Sequence, residues 1–584
     1  MSGSGSSGHT FRVSRHAWQR LVISLKAFAV SDQRGKGLVL AVSLLVLMLG
    51  VNALNVINSY VGRDFMSAIE NRDRPRYLHF AALYVAVFAL SSVVAALFRF
   101  AEERLGLLWR EWLTTRLVSQ YLEHGVPYRL NEMTRETGEV ANPDQRITED
   151  VRVLTVSTLS LILMVLNSTV TVGAFSGVLW SISPRLLLVA VVYALVGSLC
   201  TVLLGHRLVG LNYDQLDREA VLRADLTHVR ENAESVAMLR REARLTARAL
   251  RHFNDLATNL KRIIAVNRNV NAFTAGYNYL IQLIPPLFVA PLFIRGDVEF
   301  GVITQAAMAF AALNGAFSLV VTQFPSLSSL GAAMTRLDSL VRGIDQARSA
   351  RTSAIEFVDD DERVAYEELT LRSPTDARVV VNNLSISVPR GTRVLVRGPN
   401  TTGKIALFRA TAGIWEAGAG RIVRPAQFGI KYVPERPYMP PGTLRELLLR
   451  TGRESEVSDE RILRVLDLLG LDPVLKRAGG LDVERDWDNI LALGEQQLLA
   501  FARVFLAEPR FVFLDRVRTA LTPQQVEYVM RLLQERRITY ITIGGIDDQL
   551  RDYDAVLDIA TDGDWQMTPL GHAPLQTSGA AAAP

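Results

Sequence analysis

The chain has a single cysteine, Cys200, in 584 residues. One thiol closes no internal disulfide, builds no cysteine-rich metal site and makes no CxxC redox pair. Cys200 sits inside an apolar run, which suits packing or a lipid-facing position. Lysine is also scarce: the 64 basic residues are nearly all arginine, and the net balance is only modestly positive. No nucleic-acid-binding motif accompanies them, so no nucleic-acid partner is expected. The arginines cluster beside the apolar runs, as they do on the cytoplasmic side of a membrane. Acids are almost absent from those runs, and no long apolar run occurs beyond about residue 330, where composition becomes that of a soluble domain.

Hydrophobic residues make up 49% of the chain, and mean hydropathy is positive. A spanning helix needs roughly 20 mostly apolar residues. Six runs qualify: 37–57, 78–98, 156–180, 186–204, 272–294 and 301–321. The links after the second and fourth are long, helical in pattern and rich in Arg and Glu. The positive-inside rule places them, with both termini, in the cytoplasm. The first short link also carries Arg63, Arg72, Arg74 and Arg76, mixed with Asp64, Glu70 and Asp73. The long links are too polar for lipid and too periodic for disorder, so they read as helices continuing past the bilayer.

The expected organisation is a Gly/Ser-rich disordered tail at 1–10 and a basic amphipathic helix at 11–36, suited to lying on a lipid bilayer. A transmembrane domain at 37–345, a polar linker at 346–362, an α/β domain at 363–572 and a disordered tail at 573–584 follow. Arg99, Glu102 and Glu103 end the second run and either line a pathway or sit at the interface. Asn267, Asn269, Asn271 and Asn278 face a cavity or bond neighbouring helices. Pro285-Pro286 is expected to kink the fifth helix.

In the last domain, strand and helix patterns alternate. Segments 392–397, 428–433, 511–514 and 539–543 read as strands, and 458–469 as an amphipathic helix. Thr522-Pro523 reads as an N-cap and first helical position.

The sharpest local signal is Gly398-Pro399-Asn400-Thr401-Thr402-Gly403-Lys404-Ile405. A P-loop is G-x-x-x-x-G-K-[ST] between a strand and a helix. Its glycines let backbone N–H groups face phosphate, and its lysine reaches the β and γ oxygens. Ile405 lacks the hydroxyl that holds Mg²⁺. Taken alone, a structural turn explains this run equally well. Downstream come Leu491-Ala492-Leu493-Gly494-Glu495-Gln496-Gln497 and the apolar strand 511–514 ending in Asp515, a Walker B pattern able to hold Mg²⁺ through water.

With these motifs in order, the chain resembles ABC ATPases. It resembles more closely the ABC half-transporters of the SbmA/BacA-like group, related to the peroxisomal fatty-acyl ABC family. Segments 58–73 (NSYVGRDFMSAIENRD), 142–150 (NPDQRITED), 301–310 (GVITQAAMAF), 432–438 (YVPERPY) and 441–446 (PGTLRE) carry that likeness. The resemblance implies an all-α six-helix transmembrane domain of the type IV exporter kind, then an α/β P-loop ATPase domain. It also implies ATP and Mg²⁺ as cofactors, a dimer, a multi-pass site in a bacterial cytoplasmic membrane, and a transported small molecule or peptide. It further implies that the link tips at 128–143 and 230–241 press on the ATPase surface near Glu435.

Against the family pattern, the polar positions are altered one after another. Ile405 stands for Ser or Thr, Glu435 for the Q-loop Gln, and Ala492 for the signature serine, although Gly494 and Glu495 remain. Arg516 replaces the catalytic glutamate, Thr522 the D-loop aspartate and Gly545 the switch histidine. Lys404 and Asp515 survive, and Asp515 and Glu435 are the remaining candidate Mg²⁺ ligands. Arginine cannot act as a base, so the domain is expected to be a pseudo-ATPase. Three functions stay open: a transporter half working with an intact partner, a gradient-driven homodimer using the ATPase domain as scaffold, and a nucleotide-binding regulator. An ordinary active transporter requires the substitutions to compensate one another.

Overall fold

The structure, a computed structural model, describes residues 22, 25–123, 125–137, 140, 142–349, 354–374, 376–426, 429–450, 452, 456–545 and 548–570. Both expected terminal tails and half of the 11–36 helix lie outside them. Residues 25–30 are helical. The chain divides into two compact units, Met1–Asp345 and Gln346–Pro584.

The first unit is all helix. Arg34–Glu70, Arg74–Tyr121, Pro143–Ile182, Pro184–Glu231 and Glu242–Ile294 are long and apolar enough to cross a membrane, and Gly301–Phe317 is a shorter apolar stretch. The first helix starts before residue 37 and continues well beyond 57, so Arg63 and Asp64 are helical and pair at 2.8 Å. The turn that follows is only Asn71–Asp73. Asp73 then caps the next helix by accepting from the Arg76 N–H, with proline in the first turn.

The long links are helical as expected. Arg74–Tyr121 is unbroken, and Pro184–Glu231 pairs with Glu242–Ile294 across the short helix Ala233–Leu239. Arg218 donates to the Asp255 carbonyl, and buried Asn259 donates to the Leu211 carbonyl and to Gln215. Arg248 pairs with Asp225 at 3.0 Å. The helical backbone runs through Pro285, Pro286 and Pro291.

Among the polar candidates, Glu102 accepts from Ser160 at 2.7 Å, whereas Arg99, Glu103 and the four asparagines are exposed. The polar contacts inside the apolar region come from residues that the sequence did not flag. Asn52 donates to Asn167 and accepts from Thr171, both at 2.8 Å. Tyr277 stacks on Tyr193 and donates to buried Asn314 at 2.7 Å.

Segment 142–150 has a structural task. It forms the π-helical turn Arg146–Asp150, which leads into Val151–Ile182. Buried Asp150 receives a two-pronged bond from Arg336 at 2.6 and 2.8 Å, and Arg146 donates to the Arg336 carbonyl and to Ser339. This segment is thereby fastened to helix Phe324–Ser349. Asp150 is buried but Arg336 is half-exposed, so removing the arginine leaves a buried carboxylate that solvent partly compensates, at about 1–3 kcal/mol. Arg336→Ala is expected to lower the melting midpoint of the membrane domain in detergent, and adding Asp150→Asn to recover part of the loss. An unchanged midpoint in the single variant would show that the clamp carries no stability.

The second unit holds two sheets. We number its strands β1 (Ala354–Asp359), β2 (Arg363–Arg372), β3 (Val379–Pro389), β4 (Val394–Arg397), β5 (Gly418–Arg424), β6 (Ile430–Val433), β7 (Phe511–Asp515), β8 (Thr539–Ile543), β9 (Ala555–Ile559) and β10 (Trp565–Pro569). One sheet has the order β1-β5-β2-β3, and the other β10-β9-β4-β8-β7-β6. The second is parallel except for β10. β8 is buried along its whole length and is rich in β-branched residues, as a central parallel strand requires.

The stretch read as a linker contains the end of a helix and all of β1. β1 is an edge strand that pairs with β5, and only its Ile355 is buried, although Ala354, Phe357 and Val358 are apolar too. Helix Asp459–Leu468 and strands β4, β6 and β8 fall within the segments expected to hold them, and β7 runs one residue past its segment to include Asp515.

Candidate nucleotide site

Strand order sets the site. β8 lies between β4 and β7, and its last residue, Ile543, pairs with Val396 on one side and Asp515 on the other. The loops leaving β4, β7 and β8 therefore emerge side by side at the carboxyl edge of the sheet. That edge is where open α/β sheets bind ligands.

The loop after β4 is built on glycine where geometry demands it. Gly398 has φ +119°, and a Cβ there would lie 2.2 Å from the Ile559 carbonyl oxygen. Pro399 follows, and Asn400 acts as a bolt. Its Oδ1 accepts from the Gly403 N–H at 2.8 Å, capping helix Thr401–Ala412. Its Nδ2 donates to the Val380 and Ala560 carbonyls at 3.1 Å. Asn400→Ala removes a cap and two buried bonds, a loss of about 2–3 kcal/mol. It is expected to lower the unfolding midpoint of this domain and loosen nucleotide binding. A midpoint within error of the natural chain would refute the bolt.

Thr401 and Thr402 are exposed, Gly403 is buried and Ile405 is half-buried. Lys404 is buried, and its Nζ donates to the Gly544 carbonyl at 3.2 Å. Burial lowers its pKa, and the neighbouring Arg516 adds to the effect. Burial raises the pKa of Asp515, while Arg516 and Arg409 pull it the other way.

Arg516 begins the turn after β7 in the left-handed region, φ +45°, with its N–H on the Ile543 carbonyl. Its guanidinium meets Glu435 at 3.6 Å. Gln497, fully buried, holds the Glu435 segment by donating to the Pro434 and Glu435 carbonyls at 2.9 and 2.6 Å. Gly544-Gly545 is fixed by Asp548, which accepts from the Gly545 N–H at 2.9 Å and pairs with Arg518 at 2.6 Å.

Lys404, Asp515, Arg516, Glu435 and the Gly544-Gly545 loop are thus brought together. The other candidates have different neighbours. Ala492 has no side-chain acceptor, so helix Leu493–Ala507 keeps half a capping box, with Glu495 accepting from the Ala492 N–H at 3.0 Å and pairing with Arg477. Gly494 stands beside the Ala520 carbonyl, and Thr522 caps helix Pro523–Glu535 with a full box to Gln525. Gln497 and Asp548 were missed as positioning residues. Gln497 lies within the signature run, but nothing in sequence shows which carbonyls it reaches.

The backbone loop, the helix N-terminus and Lys404 fit a nucleotide phosphate. The residues lack part of the ligand set that the family gives Mg²⁺. Ile405 has no oxygen to offer and Glu435 is engaged by Arg516. Among the described residues, Asp515 Oδ1 is buried without a hydrogen-bond partner, so Mg²⁺ would hold to the protein through that carboxylate alone, with waters and phosphate oxygens filling its octahedron and the family's direct hydroxyl ligand missing.

Residues 25–294 match the family described as ABC transporter transmembrane region 2, and residues 381–517 match the ABC transporter family. An ABC transporter ATP-binding protein of Synechocystis sp. is 34% identical, over 91% of this chain and 81% of its own length. ABC transporter D family member 2, chloroplastic, of Arabidopsis thaliana is 31% identical over 93% and 86%. The human lysosomal cobalamin transporter ABCD4 is 24% identical over 86% and 88%. Matched along both its helical membrane unit and its α/β unit, the chain belongs to the ABC transporter family, as a transmembrane transporter with an ATP-binding domain.

Proposed function

We propose that this chain is a half-transporter that moves a hydrophilic or amphipathic solute across a bacterial cytoplasmic membrane, with an ATPase domain that binds ATP and is impaired in its hydrolysis. Residues 37–345 form the pathway and 363–572 the nucleotide domain. The observation that carries the reading is Arg516: it stands directly after Asp515, where a base is needed, and pairs with Glu435. A cation there cannot take a proton from water. Energy comes from an intact partner half in a heterodimer. A peptide or a cobalamin-like molecule is the solute class, the latter in keeping with the named substrate of the mouse and human relatives.

Phosphate release and ATP retention by the chain purified alone into lipid test the reading. Retained ATP with negligible release supports it, and family-like turnover refutes it. Transport by the chain alone, driven by a proton gradient without nucleotide, would replace it with the scaffold reading. The tips at 128–143 and 230–241 serve as the coupling elements. Engineered cysteine pairs between each tip and the surface around Glu435 are expected to cross-link, and failure at both tips would remove them from that role.

A further inference from the structure

The nucleotide site allows one step more, which rests on the ATP-binding half of the reading above. A P-loop site balances the charge of a triphosphate with a divalent ion, held by the hydroxyl after the lysine and by the Walker B carboxylate. Here the hydroxyl position is Ile405. The residue after Asp515, where an acid is expected, is Arg516, and that exchange raises the local charge by two units, the charge of the ion whose ligand is missing. Glu435 returns one unit and pairs with the guanidinium at 3.6 Å.

The left-handed turn at Arg516 and its N–H bond to Ile543 fix the start of the side chain at the sheet edge between Lys404 and Glu435. The side chain is about one-third exposed, so it has room to move. A guanidinium is permanently charged, and its fork of donors matches phosphate oxygens two at a time.

We infer that Arg516 is the built-in counter-cation of this site, so that the chain binds a nucleoside triphosphate without a divalent metal, with Glu435 parking the guanidinium until the phosphates arrive. Lys404 supplies the second positive charge from the opposite side, and the loop N–H groups complete the cradle.

The test is equilibrium binding of labelled ATP to the full chain in lipid nanodiscs, in EDTA and in excess Mg²⁺. The two affinities are expected to agree within about threefold, and Arg516→Ala to lose about tenfold or more in EDTA. Arg516→Lys should recover part of that loss. Glu435→Gln, which frees the guanidinium and removes a negative charge, should tighten binding in EDTA, and it guards against a merely misfolded alanine variant.

Binding seen only with Mg²⁺, or absent in both conditions, overturns the inference, as does a Glu435→Gln variant that binds no tighter without metal. Phosphate release, measured on the same samples, reports separately on the hydrolysis-impaired reading. Metal-free binding with family-like turnover in Mg²⁺ would sink that reading and leave this inference standing.

Discussion

Phosphate release by the natural chain in MgATP is expected to lie about 100-fold or more below that of a variant carrying Arg516→Glu, Gly545→His and Ile405→Ser. A positioned general base contributes about 10²–10⁴-fold, and the natural chain has an arginine in that place. The three substitutions return a base, a group to orient the γ-phosphate and an oxygen for the metal. The structure admits them. Gly545 is exposed, Ile405 is half-buried, and Arg516 emerges from a turn that a glutamate can follow. The neighbouring Gly544 could not be chosen, because a Cβ there would come within 1.9 Å of Asp548 Oδ2. If the natural chain instead turns over at rates typical of the family, the guanidinium is not the obstacle and some unrecognised group supplies the base. Equal and negligible rates in both proteins would point to the Ala492 signature or to the need for a second, different half.

Trp487→Ala is expected to destabilise the nucleotide domain by about 3–5 kcal/mol, the range for deleting a buried aromatic side chain. Trp487 is fully buried in the core around helices Asp459–Leu468 and Leu493–Ala507. Its indole N–H donates to the Gly442 carbonyl at 3.0 Å, and Gly442 also exchanges backbone bonds with Arg485. The substitution therefore leaves a cavity and unfastens residues 440–443, which follow the Glu435 segment. Guanidinium unfolding of the full chain, followed by tryptophan-independent far-UV signal, reads the loss. Trp487→Phe keeps most of the volume and loses only the bond, so it should retain most of the stability. A loss below about 1 kcal/mol in the alanine variant would mean that the core collapses to fill the gap.

The order of motifs was legible because each has its own local chemistry. Glycines at 398 and 403, a carboxylate ending an apolar strand, and Thr522-Pro523 opening a helix all signal within a few residues. What sequence could not show is proximity between distant segments. The Asp150–Arg336 clamp joins residues 186 apart, and neither residue is unusual by itself. The Arg516–Glu435 pair is of the same kind: each substitution was visible alone, and their meeting was not. β1 escaped for another reason. Periodicity reveals a strand only when one face is buried, and β1 buries a single side chain. The asparagines at 267, 269, 271 and 278 drew attention by composition and are exposed, whereas Asn52, Asn167 and Asn314 make the bonds between the apolar runs.

Helices Pro184–Glu231 and Glu242–Ile294 have 48 and 53 residues, which makes them about 72 and 80 Å long. The hydrocarbon core accounts for about 30 Å of that. Roughly 40 Å therefore projects as a two-strut arm, cross-braced by Arg218, Asn259 and Arg248. Such an arm is a gear. A rocking of about 5° where it leaves the membrane carries its far end through about 3.5 Å over a length of that order, comparable to a hydrogen-bond length. The braces convert that rocking into displacement and keep it from being lost in bending. Stiffness midway along the arm then sets how faithfully movement at one of its ends is delivered at the other.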